Sequence, residues 1–399
     1  MKPTLITGLQ WGDEGKGKVI DLLADKFDVT IRFNGGNNAG HTVKVGDTTL
    51  HFKLMPSAAL HGKKVLIAQA VVINPKVMLQ EIDQIKQLGV KLDLGIDPRC
   101  HVVLPYHQAL DGASEASKGK AKTGSLGLGI GFSFEDRTNR AGIRMEELVQ
   151  PTVLREKLKA NWDLKKRRVV NAYQQQFPLQ FEKVYQEYVA YGRKLKPYLL
   201  SVAEYTLDHL PKKRFLLETA QGFSLDFVFR TYPYTVAYHT LASSALPDIG
   251  LPPMALNVVG IVKAYTTRVG NGPFPTELKT KIGDYLQEKG HEFGTVSGRR
   301  RRCGWLDLPI LQHAGRLSGI NSIILTKLDV LSGLKTLKIK TAKGYVNFPG
   351  WQEDISTVKR WDKLPVNCRR YVLYLEKQLY VPIKYVSVGP DRRQTISRK

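Results

Sequence analysis

The chain contains 399 residues, of which 42% are hydrophobic and 24% are charged. This length allows one large α/β domain or two ordinary domains, and the hydrophobic fraction excludes a chain that is disordered throughout. No stretch of about eighteen apolar residues occurs, so no membrane-spanning helix is expected. The charge is unusual, because 60 Lys and Arg stand against 36 Asp and Glu and give a net charge of +24.

The positive charge and the cysteines limit the classes of partner and compartment. A net charge of this size attracts anions, which include phosphorylated metabolites and nucleic acid, and it does not distinguish between them. The three cysteines, Cys100, Cys303 and Cys368, lie far apart and lack the spacing of metal ligands. A disulfide scaffold or a zinc site is therefore not expected, and a reducing cytoplasm fits best. We expect no signal peptide, since glycines and charges follow the short apolar run near the start.

Short apolar runs alternate with longer stretches of helical periodicity along the chain. Buried strands are predicted at 4–9, 29–33, 64–68, 215–217, 322–325 and 383–386, and a helix is predicted at 19–26. This alternation predicts an α/β fold with a large, mainly parallel sheet, covering helices and ligand-binding loops at the carboxyl ends of the strands. Residues 150–215 are polar and rich in Lys, Gln and Tyr, so we expect a peripheral helical insertion within a single domain of residues 1–399.

A glycine-rich loop lies between the first predicted strand and the first predicted helix. Its segment 12–18 reads G-x-x-x-x-G-K, the pattern of a loop that wraps phosphates with backbone N–H groups and a helix amino terminus. Val19 stands where such loops place Ser or Thr on Mg²⁺, so another oxygen must hold the metal, and Asp13 is the nearest candidate. The sequence favours phosphate binding over a simple tight turn, since a turn does not require four glycines with two lysines and two acids.

The second predicted strand is followed by Asn-Gly-Gly-Asn-Asn-Ala-Gly-His-Thr at 34–42. The small residues allow a ligand to approach the backbone closely, and His41 is the one titratable group in the segment. A lone histidine is usually structural, but its place beside a phosphate loop favours a role as proton donor or charge stabiliser.

Two later segments add groups that bind anions and bases. Four arginines at 299–302 follow a Gly-Thr-Val-Ser-Gly loop, and their guanidinium groups suit the capture of carboxylate or phosphate. The alternative for these arginines is an ordinary basic patch for nucleic acid. The strand at 322–325 leads into Thr-Lys-Leu-Asp, where Asp329 can accept two hydrogen bonds from guanine while the Lys327 side chain covers the base. Together with a phosphate loop, this pattern indicates GTP.

Taken together, these segments closely resemble the adenylosuccinate synthetase family. The resemblance rests on 10–18, 35–42, 231–234, 267–277, 298–307, 326–329 and 387–392, which occur in the family's order and span nearly the whole chain. It implies a GTP- and Mg²⁺-dependent ligase of purine biosynthesis. The γ-phosphoryl group of GTP moves to O6 of IMP, and the amine of L-aspartate then displaces it, which gives adenylosuccinate, GDP and phosphate.

The resemblance also implies roles for individual residues. Asp13 would be the base that removes the N1 proton, His41 would stabilise the moving phosphoryl group, and Gln221 would hold the purine edge. The residues implied for GTP are Gly12, Gly15, Lys16, Gly17, Lys18, Gly40, Thr42, Arg301, Lys327, Asp329, Ser387 and Gly389. Those implied for the nucleotide monophosphate are Asn38, Ser125, Arg140, Gln221, Val236 and Arg299, and those implied for aspartate are Thr295, Ser297, Arg299 and Arg301. Asp13 and the Gly40 carbonyl would hold Mg²⁺, and Arg140 would cross to the nucleotide of the second subunit of a homodimer.

Two positions near the acceptor nucleotide depart from the family pattern. Leu126 and Val236 stand where the family usually has threonines that contact the nucleotide monophosphate. Losing both hydrogen bonds without replacement would weaken binding, since each bond to a charged group is worth about 1.5–3 kcal/mol. The sequence therefore leaves three alternatives: IMP as acceptor, dGMP as acceptor as in viral 2-aminoadenine nucleotide synthesis, and an inactive basic relative that binds nucleic acid. The retained Asp13 and Lys16 favour an active enzyme, and Asp13 favours IMP.

Overall fold

The computed structural model describes residues 2–45, 48–294 and 298–398, and the side chains of 42–49 stand outside this description. In chain order the strands are β1 (Thr4–Gly8), β2 (Val29–Arg32), β3 (His41–Val45), β4 (Thr48–Phe52), β5 (Lys64–Ile67), β6 (Val72–Ile73), β7 (Asp93–Ile96), β8 (His101–Val102), β9 (Phe215–Gly222), β10 (Asn257–Lys263), β11 (Thr266–Arg268), β12 (Arg302–Gly304), β13 (Leu306–Asp307), β14 (Ser322–Thr326), β15 (Thr336–Thr341), β16 (Gly344–Pro349), β17 (Ile383–Ser387) and β18 (Thr395–Ser397).

A large sheet runs through the centre of the described part of the chain. Its nine strands lie in the order β18-β17-β14-β10-β1-β9-β2-β5-β7. Every neighbouring pair is parallel apart from β17 and β18, which are antiparallel. The mainly parallel α/β fold predicted from the sequence is therefore confirmed. Because the carboxyl ends of parallel strands meet at one edge, the loops that follow β1, β2, β9 and β14 gather there.

The helices begin and end at residues that suit a terminus. In chain order they are α1 (Lys16–Leu23), α2 (Pro75–Gln87), α3 (Pro105–Ser117), α4 (Ile130–Thr138), α5 (Met145–Leu148), α6 (Pro151–Arg167), α7 (Phe181–Leu195), α8 (Val202–His209), α9 (Ala245–Ile249), α10 (Lys281–Lys289), α11 (Leu308–Ser318) and α12 (Val366–Leu379). Asn74 caps α2 and Asp307 caps α11, each by accepting a hydrogen bond from a backbone N–H, and a proline lies in the first turn of each helix. None of the described helices is long and apolar enough to cross a membrane.

The six strands predicted from the sequence are all confirmed: each begins at the predicted residue, and five of the six end within one residue of the predicted end. The exception is β9, which runs on from 217 to Gly222. The helix predicted at 19–26 begins earlier, at Lys16, because Gly15 adopts φ of 91° and starts α1 directly after the loop. The strands β7 and β10 are not among the predicted ones, since Gly95 and Gly260 interrupt their short apolar runs.

The stretch 150–215 is helical as predicted, and it contributes to the main hydrophobic core. Leu154 and Leu158 of α6 and Tyr188 of α7 are buried in the same cluster as Val65 and Ile67 of β5. The hydrophobic effect therefore ties these helices to the sheet. The assignment of residues 1–399 to a single domain stays a prediction.

A buried charged cluster joins three of the helices. Asp136 of α4 accepts a hydrogen bond from His107 Nε2 of α3 at 2.9 Å and pairs with Lys165 of α6. His107 Nδ1 accepts a hydrogen bond from the Leu104 N–H at 3.0 Å, so the ring proton sits on Nε2. Burial raises the pKa of Asp136, but His107 and Lys165 hold it below its ordinary value. The carboxylate is therefore charged at neutral pH and links α3, α4 and α6.

We expect Asp136→Ala to lower the free energy of unfolding by about 3–5 kcal/mol, because it leaves the Lys165 ammonium buried without its partner. Glu135 supplies a matched control on the same helix, since its ion pair with Arg168 is partly exposed on both sides. Glu135→Ala should cost about 1 kcal/mol or less. Denaturant unfolding followed by circular dichroism measures both variants, and equal losses would contradict a special role for the buried cluster.

Candidate active site

A cleft of about 1960 Å³ lies at the carboxyl ends of the central strands. Gly12, Arg140 and Arg299 belong to the described part of the chain but do not line it. Thr295 and Ser297 lie outside the described residues, and so does the side chain of Thr42. The predicted site residues that the cleft brings together are Asp13, Gly15, Lys16, Gly17, Lys18, Asn38, Gly40, His41, Ser125, Gln221, Val236, Arg301, Lys327, Asp329, Ser387 and Gly389.

Glu14 is fully buried and holds the first glycine loop together from inside. Its Oε1 accepts hydrogen bonds from the N–H groups of Gln10 and Gly12 at 3.0 and 2.9 Å, and its Oε2 pairs with Lys16 Nζ at 2.7 Å. The amide of Gly12 is thus satisfied within the protein. The amino end of α1, with Gly15 and Lys16, faces the cleft, where its unpaired N–H groups and dipole favour an anion.

His41, at the start of β3, is held by a buried carboxylate from strand β9 of the central sheet. His41 Nδ1 lies 2.5 Å from Glu218 Oε1 and 3.0 Å from Ser57 Oγ, and Ser57 donates to Glu218 at 3.1 Å. Burial raises the pKa of Glu218, but His41 and Arg32 hold it below its ordinary value. The carboxylate occupies Nδ1, which leaves Nε2 as the ring nitrogen available for a ligand.

Arg301 joins Asp13 to another buried carboxylate. Its Nη2 donates to Asp13 Oδ1 at 2.8 Å, and its Nη1 donates to Glu292 Oε2 at 2.7 Å. Glu292 is fully buried and also binds Lys263 Nζ at 2.8 Å. Burial raises the pKa of Glu292, but the surrounding cations, Lys263 first among them, lower it to about 2. Glu292 is therefore charged and orients Arg301 towards Asp13.

At the other end of the cleft, Asp329 has a buried oxygen without a protein partner. Its Oδ1 accepts no hydrogen bond within the described part of the chain. Burial raises the pKa of the Asp329 carboxyl, while Lys327 and Lys18 act in the opposite direction. A buried acceptor without a partner is costly, so this position suits a ligand that donates hydrogen bonds.

Gln221 and Asn38 are linked on the opposite wall of the cleft. Gln221 Nε2 donates to the Asn38 carbonyl at 3.1 Å, and Asn38 Nδ2 donates to the Tyr238 hydroxyl at 3.1 Å. Gln221 adopts φ of 64°, a left-handed conformation that is uncommon for residues other than glycine. Such conformations cluster at functional sites.

The wall beside Gln221 is apolar at the two positions that depart from the family pattern. Leu126 and Val236 both line the cleft, and Val236 packs with the cluster that contains Phe134. The hydroxyl of Ser125 donates to Asp111 Oδ1 at 2.6 Å, so a carboxylate already uses its proton.

Arg140 and Arg299 are exposed and lie outside the cleft of their own chain. Arg140 follows α4 with φ of 61°. Arg299 donates from Nη1 to the Gly124 carbonyl at 3.4 Å.

Three residues that shape the site do not follow from sequence patterns: Glu218, Glu292 and Arg268. Arg268 lines the cleft while only 2% exposed, and it donates to the carbonyls of Pro273 and Tyr234 at 2.6 and 3.2 Å. Burial lowers the pKa of Arg268 to about 10. Glu218 carries one signal, since it is a lone acid within the apolar run of β9. Arg268 belongs to the segment 267–277 that carries the family resemblance, although no role was predicted for it, and Glu292 carries no signal.

Comparison with known proteins identifies the family. Residues 5–345 and 340–396 match the family model of adenylosuccinate synthetase. An adenylosuccinate synthetase of Nitratidesulfovibrio vulgaris is 45% identical over 427 residues, which covers 100% of both chains. An adenylosuccinate synthetase of Caldanaerobacter subterraneus subsp. tengcongensis is 44% identical and covers 99% of both chains.

Two solved structures share the fold. A fully ligated adenylosuccinate synthetase from Plasmodium falciparum matches with a TM-score of 0.93 at 36% identity, and the match covers 100% of both chains. A succinoaminodeoxyadenylate synthetase of cyanophage S-2L, bound to dGMP and dATP, matches with a TM-score of 0.67 at 19% identity. This match covers 99% of the present chain and 95% of the phage chain, and it shows a shared fold alone. The chain therefore belongs to the adenylosuccinate synthetase family, and it is a GTP-dependent ligase that joins L-aspartate to IMP in purine biosynthesis.

Proposed function

We propose that the cleft carries out this ligation in two steps at one position. In the first step, the γ-phosphoryl group of GTP moves to O6 of IMP, and in the second, the aspartate amine displaces it from C6. The observation that supports this most directly is that Asp13, His41 and Gln221 line one cleft together with the amino end of α1 and the buried Asp329. GTP and IMP bound on either side of these three residues would meet with the γ-phosphorus facing O6.

Asp13 acts as the base of the first step. It removes the N1 proton of IMP, and the electron pair makes O6 a nucleophile towards the γ-phosphorus. As the O6–phosphorus bond forms, the bond from the γ-phosphorus to the β–γ bridging oxygen breaks, and GDP leaves with its electron pair. Arg301 orients the Asp13 carboxylate, because their ion pair is 2.8 Å long and Glu292 holds the arginine from behind. Gln221 binds the edge of the purine ring.

His41 stabilises the phosphoryl group during transfer. Its Nε2 donates to the phosphoryl oxygens, while Glu218 on Nδ1 stabilises the positive charge of the ring. Positioning and charge neutralisation supply most of the acceleration in such transfers, so the rigid hold on His41 matters as much as its charge.

In the second step, the amine of L-aspartate forms a bond to C6, the C6–O6 bond breaks, and phosphate departs with the electron pair. An unmodified oxygen on C6 leaves poorly, and its phosphorylation lowers this barrier. The side chains that bind the aspartate carboxylates are Thr295, Ser297, Arg299 and Arg301.

GTP lies along the amino end of α1 and across to Asp329. Its guanine N1–H and 2-amino groups donate to the Asp329 carboxylate, and the Oδ1 atom without a protein partner supports this assignment. The residues around the phosphates are Gly15, Lys16, Gly17, Gly40, Thr42, Arg301 and the backbone of Lys18, and those around the base are Lys327, Asp329, Ser387 and Gly389. Gly12 belongs to the same loop but does not line the cleft.

The residues present fit a Mg²⁺ ion held between Asp13 and the GTP phosphates. Mg²⁺ prefers oxygen ligands and usually binds one or two carboxylates together with substrate phosphates. Asp13 is 27% exposed in the cleft wall, and Gly40, which lines the same cleft, would contribute a carbonyl oxygen. The described residues contain no cluster of three or more acidic, His or Cys side chains that would hold a metal alone. Bound Mg²⁺ would neutralise charge on the phosphates.

The acceptor nucleotide lies against Asn38, Gln221, Ser125 and Val236, with Arg299 near its phosphate. We infer a homodimer in which Arg140 reaches the nucleotide phosphate of the second subunit. This inference draws support from the exposure of Arg140 and its position outside the cleft of its own chain.

Purified protein supplied with GTP, Mg²⁺ and L-aspartate should convert IMP with a much higher kcat/KM than dGMP. The reason is steric, since the 2-amino group of dGMP requires room beside the Asp13 carboxylate. The change in ultraviolet absorbance of the purine measures both reactions, and omission of aspartate is the control. Faster turnover of dGMP would contradict the proposed acceptor.

We expect Asp13→Asn to lower kcat about 10²- to 10⁴-fold, the usual contribution of a general base. GTP affinity should change far less, because Asp329 and α1 retain their contacts. Asp93→Asn is the matched control, since that carboxylate is 50% exposed at the start of β7 and should leave turnover unchanged. Near-normal kcat in Asp13→Asn would remove this residue from its proposed role.

Arg140→Leu should raise the KM for IMP about 10- to 150-fold, because one hydrogen bond to a charged phosphate contributes about 1.5–3 kcal/mol. Specific activity of the unmodified protein should fall on dilution as the dimer separates. Steady-state kinetics and light scattering measure the two effects. Arg144→Leu, a nearby exposed arginine, should leave the KM unchanged. A fully active monomer would refute the shared site.

A further inference from the structure

The side chain of Lys18 turns away from the phosphate loop. Its Nζ donates to Ser387 Oγ at 2.6 Å, to the Gly389 carbonyl at 2.7 Å and to the Gln394 carbonyl at 3.3 Å. All three acceptors belong to one loop, residues 387–394, near the carboxyl end of the chain. Lys18 is part of the G-x-x-x-x-G-K pattern, yet its three ammonium protons match these three oxygens.

The 387–394 loop is a compact turn in which the carbonyls of Gly389 and Gln394 both face the Lys18 ammonium group. Val388 N–H donates to the Gln394 carbonyl at 2.9 Å, and Ser387 Oγ donates to the Gly389 carbonyl at 3.1 Å. A Cβ atom on Gly389 would lie 2.4 Å from the Gln394 side chain, so a larger residue there would displace that side chain. Without a cation between them, the carbonyls of residues 389 and 394 would repel each other.

We infer that Lys18 is a positioning residue for guanine recognition, which fastens the 387–394 loop to α1, and that its ammonium group is not a phosphate ligand. This inference rests on the proposed function, because it assumes that Ser387 and Gly389 enclose the guanine of GTP. It separates two groups that the sequence pattern places together: the amino end of α1 binds phosphate, and the Lys18 side chain shapes the base pocket.

Two further observations support the fastening of this loop to α1. Arg392 Nη1 donates to Asp21 Oδ1 at 3.3 Å, so a second residue of α1 binds the same loop. Burial lowers the pKa of Lys18 to about 8, while the nearby carboxylates of Asp329 and Asp391 favour its charge. Helix α1 therefore carries the phosphate site at its amino end and holds one wall of the base pocket along its side. This arrangement fixes the distance between the two sites.

The test is the substitution Lys18→Met, with binding measured by displacement of fluorescently labelled GDP. A positioning role predicts that affinity falls about 10- to 100-fold, and by the same factor for GTP, GDP and guanosine, because the loss concerns the base. A phosphate ligand would instead lose more affinity as the number of phosphates rises. The KM for GTP should rise, while kcat at saturating GTP and the KM values for IMP and aspartate stay within about threefold.

Lys16→Met is the matched control, since Lys16 lies at the amino end of α1 and faces the cleft. The Lys16→Met variant should lose much affinity for GTP and little affinity for guanosine. Arg392→Gln removes the second link between the loop and α1 and should lower the affinities for GTP and guanosine by one smaller common factor, which keeps the test decisive if Lys18→Met does not fold. A loss in Lys18→Met that grows with phosphate number, or no loss, would overturn the inference. Failure of the proposed function would appear differently, as unmodified protein that neither binds GTP nor turns over IMP.

Discussion

The buried carboxylate of Glu14 determines how the strands and the first helix meet at the cleft. It accepts hydrogen bonds from the backbone on the β1 side of the loop and pairs with Lys16 on the α1 side. A Cβ atom on Gly8 would lie 2.3 Å from Glu14, and one on Gly222 would lie 2.5 Å from it. Glycine is therefore required at the ends of both β1 and β9, because the carboxylate occupies the space between them.

The backbone of Glu14 also connects the phosphate loop to the end of the cleft that contains Asp329. Thr326 at the end of β14 donates from its hydroxyl to the Glu14 carbonyl at 2.6 Å, and Lys327 and Asp329 follow directly. The buried carboxylates of Glu218 and Glu292 also hold functional residues in place: Glu218 binds His41, and Glu292 binds Arg301. A buried ion pair adds little net stability, but removal of one partner is costly. These acids consequently fix the orientation of the functional groups more than they stabilise the fold.

This arrangement explains which parts of the site can be predicted from the sequence. The phosphate loop and the Thr-Lys-Leu-Asp segment depend on local backbone geometry, so neighbouring residues reveal them. The partners of the functional residues depend on tertiary packing: Arg301 and Asp13 are 288 positions apart, and Arg301 lies just before β12, which belongs to a separate two-stranded sheet with β11. The start of α1 at Lys16 is only partly predictable. Gly15 indicates a helix start there, but the hydrophobic periodicity of the helix begins later, at Val19.

The buried pairs also bear on the net charge of +24. Lys16, Lys263 and Arg301 each contact a fully buried carboxylate, so these cations contribute little charge to the cleft as a whole. Arg268 differs, because within the described residues carbonyl and hydroxyl oxygens hold it and no carboxylate does. Its charge is uncompensated beside the cleft, in surroundings where burial already disfavours it. An anionic substrate would relieve this cost on binding. The larger excess lies on the surface, where it attracts anions over longer distances and is screened by salt.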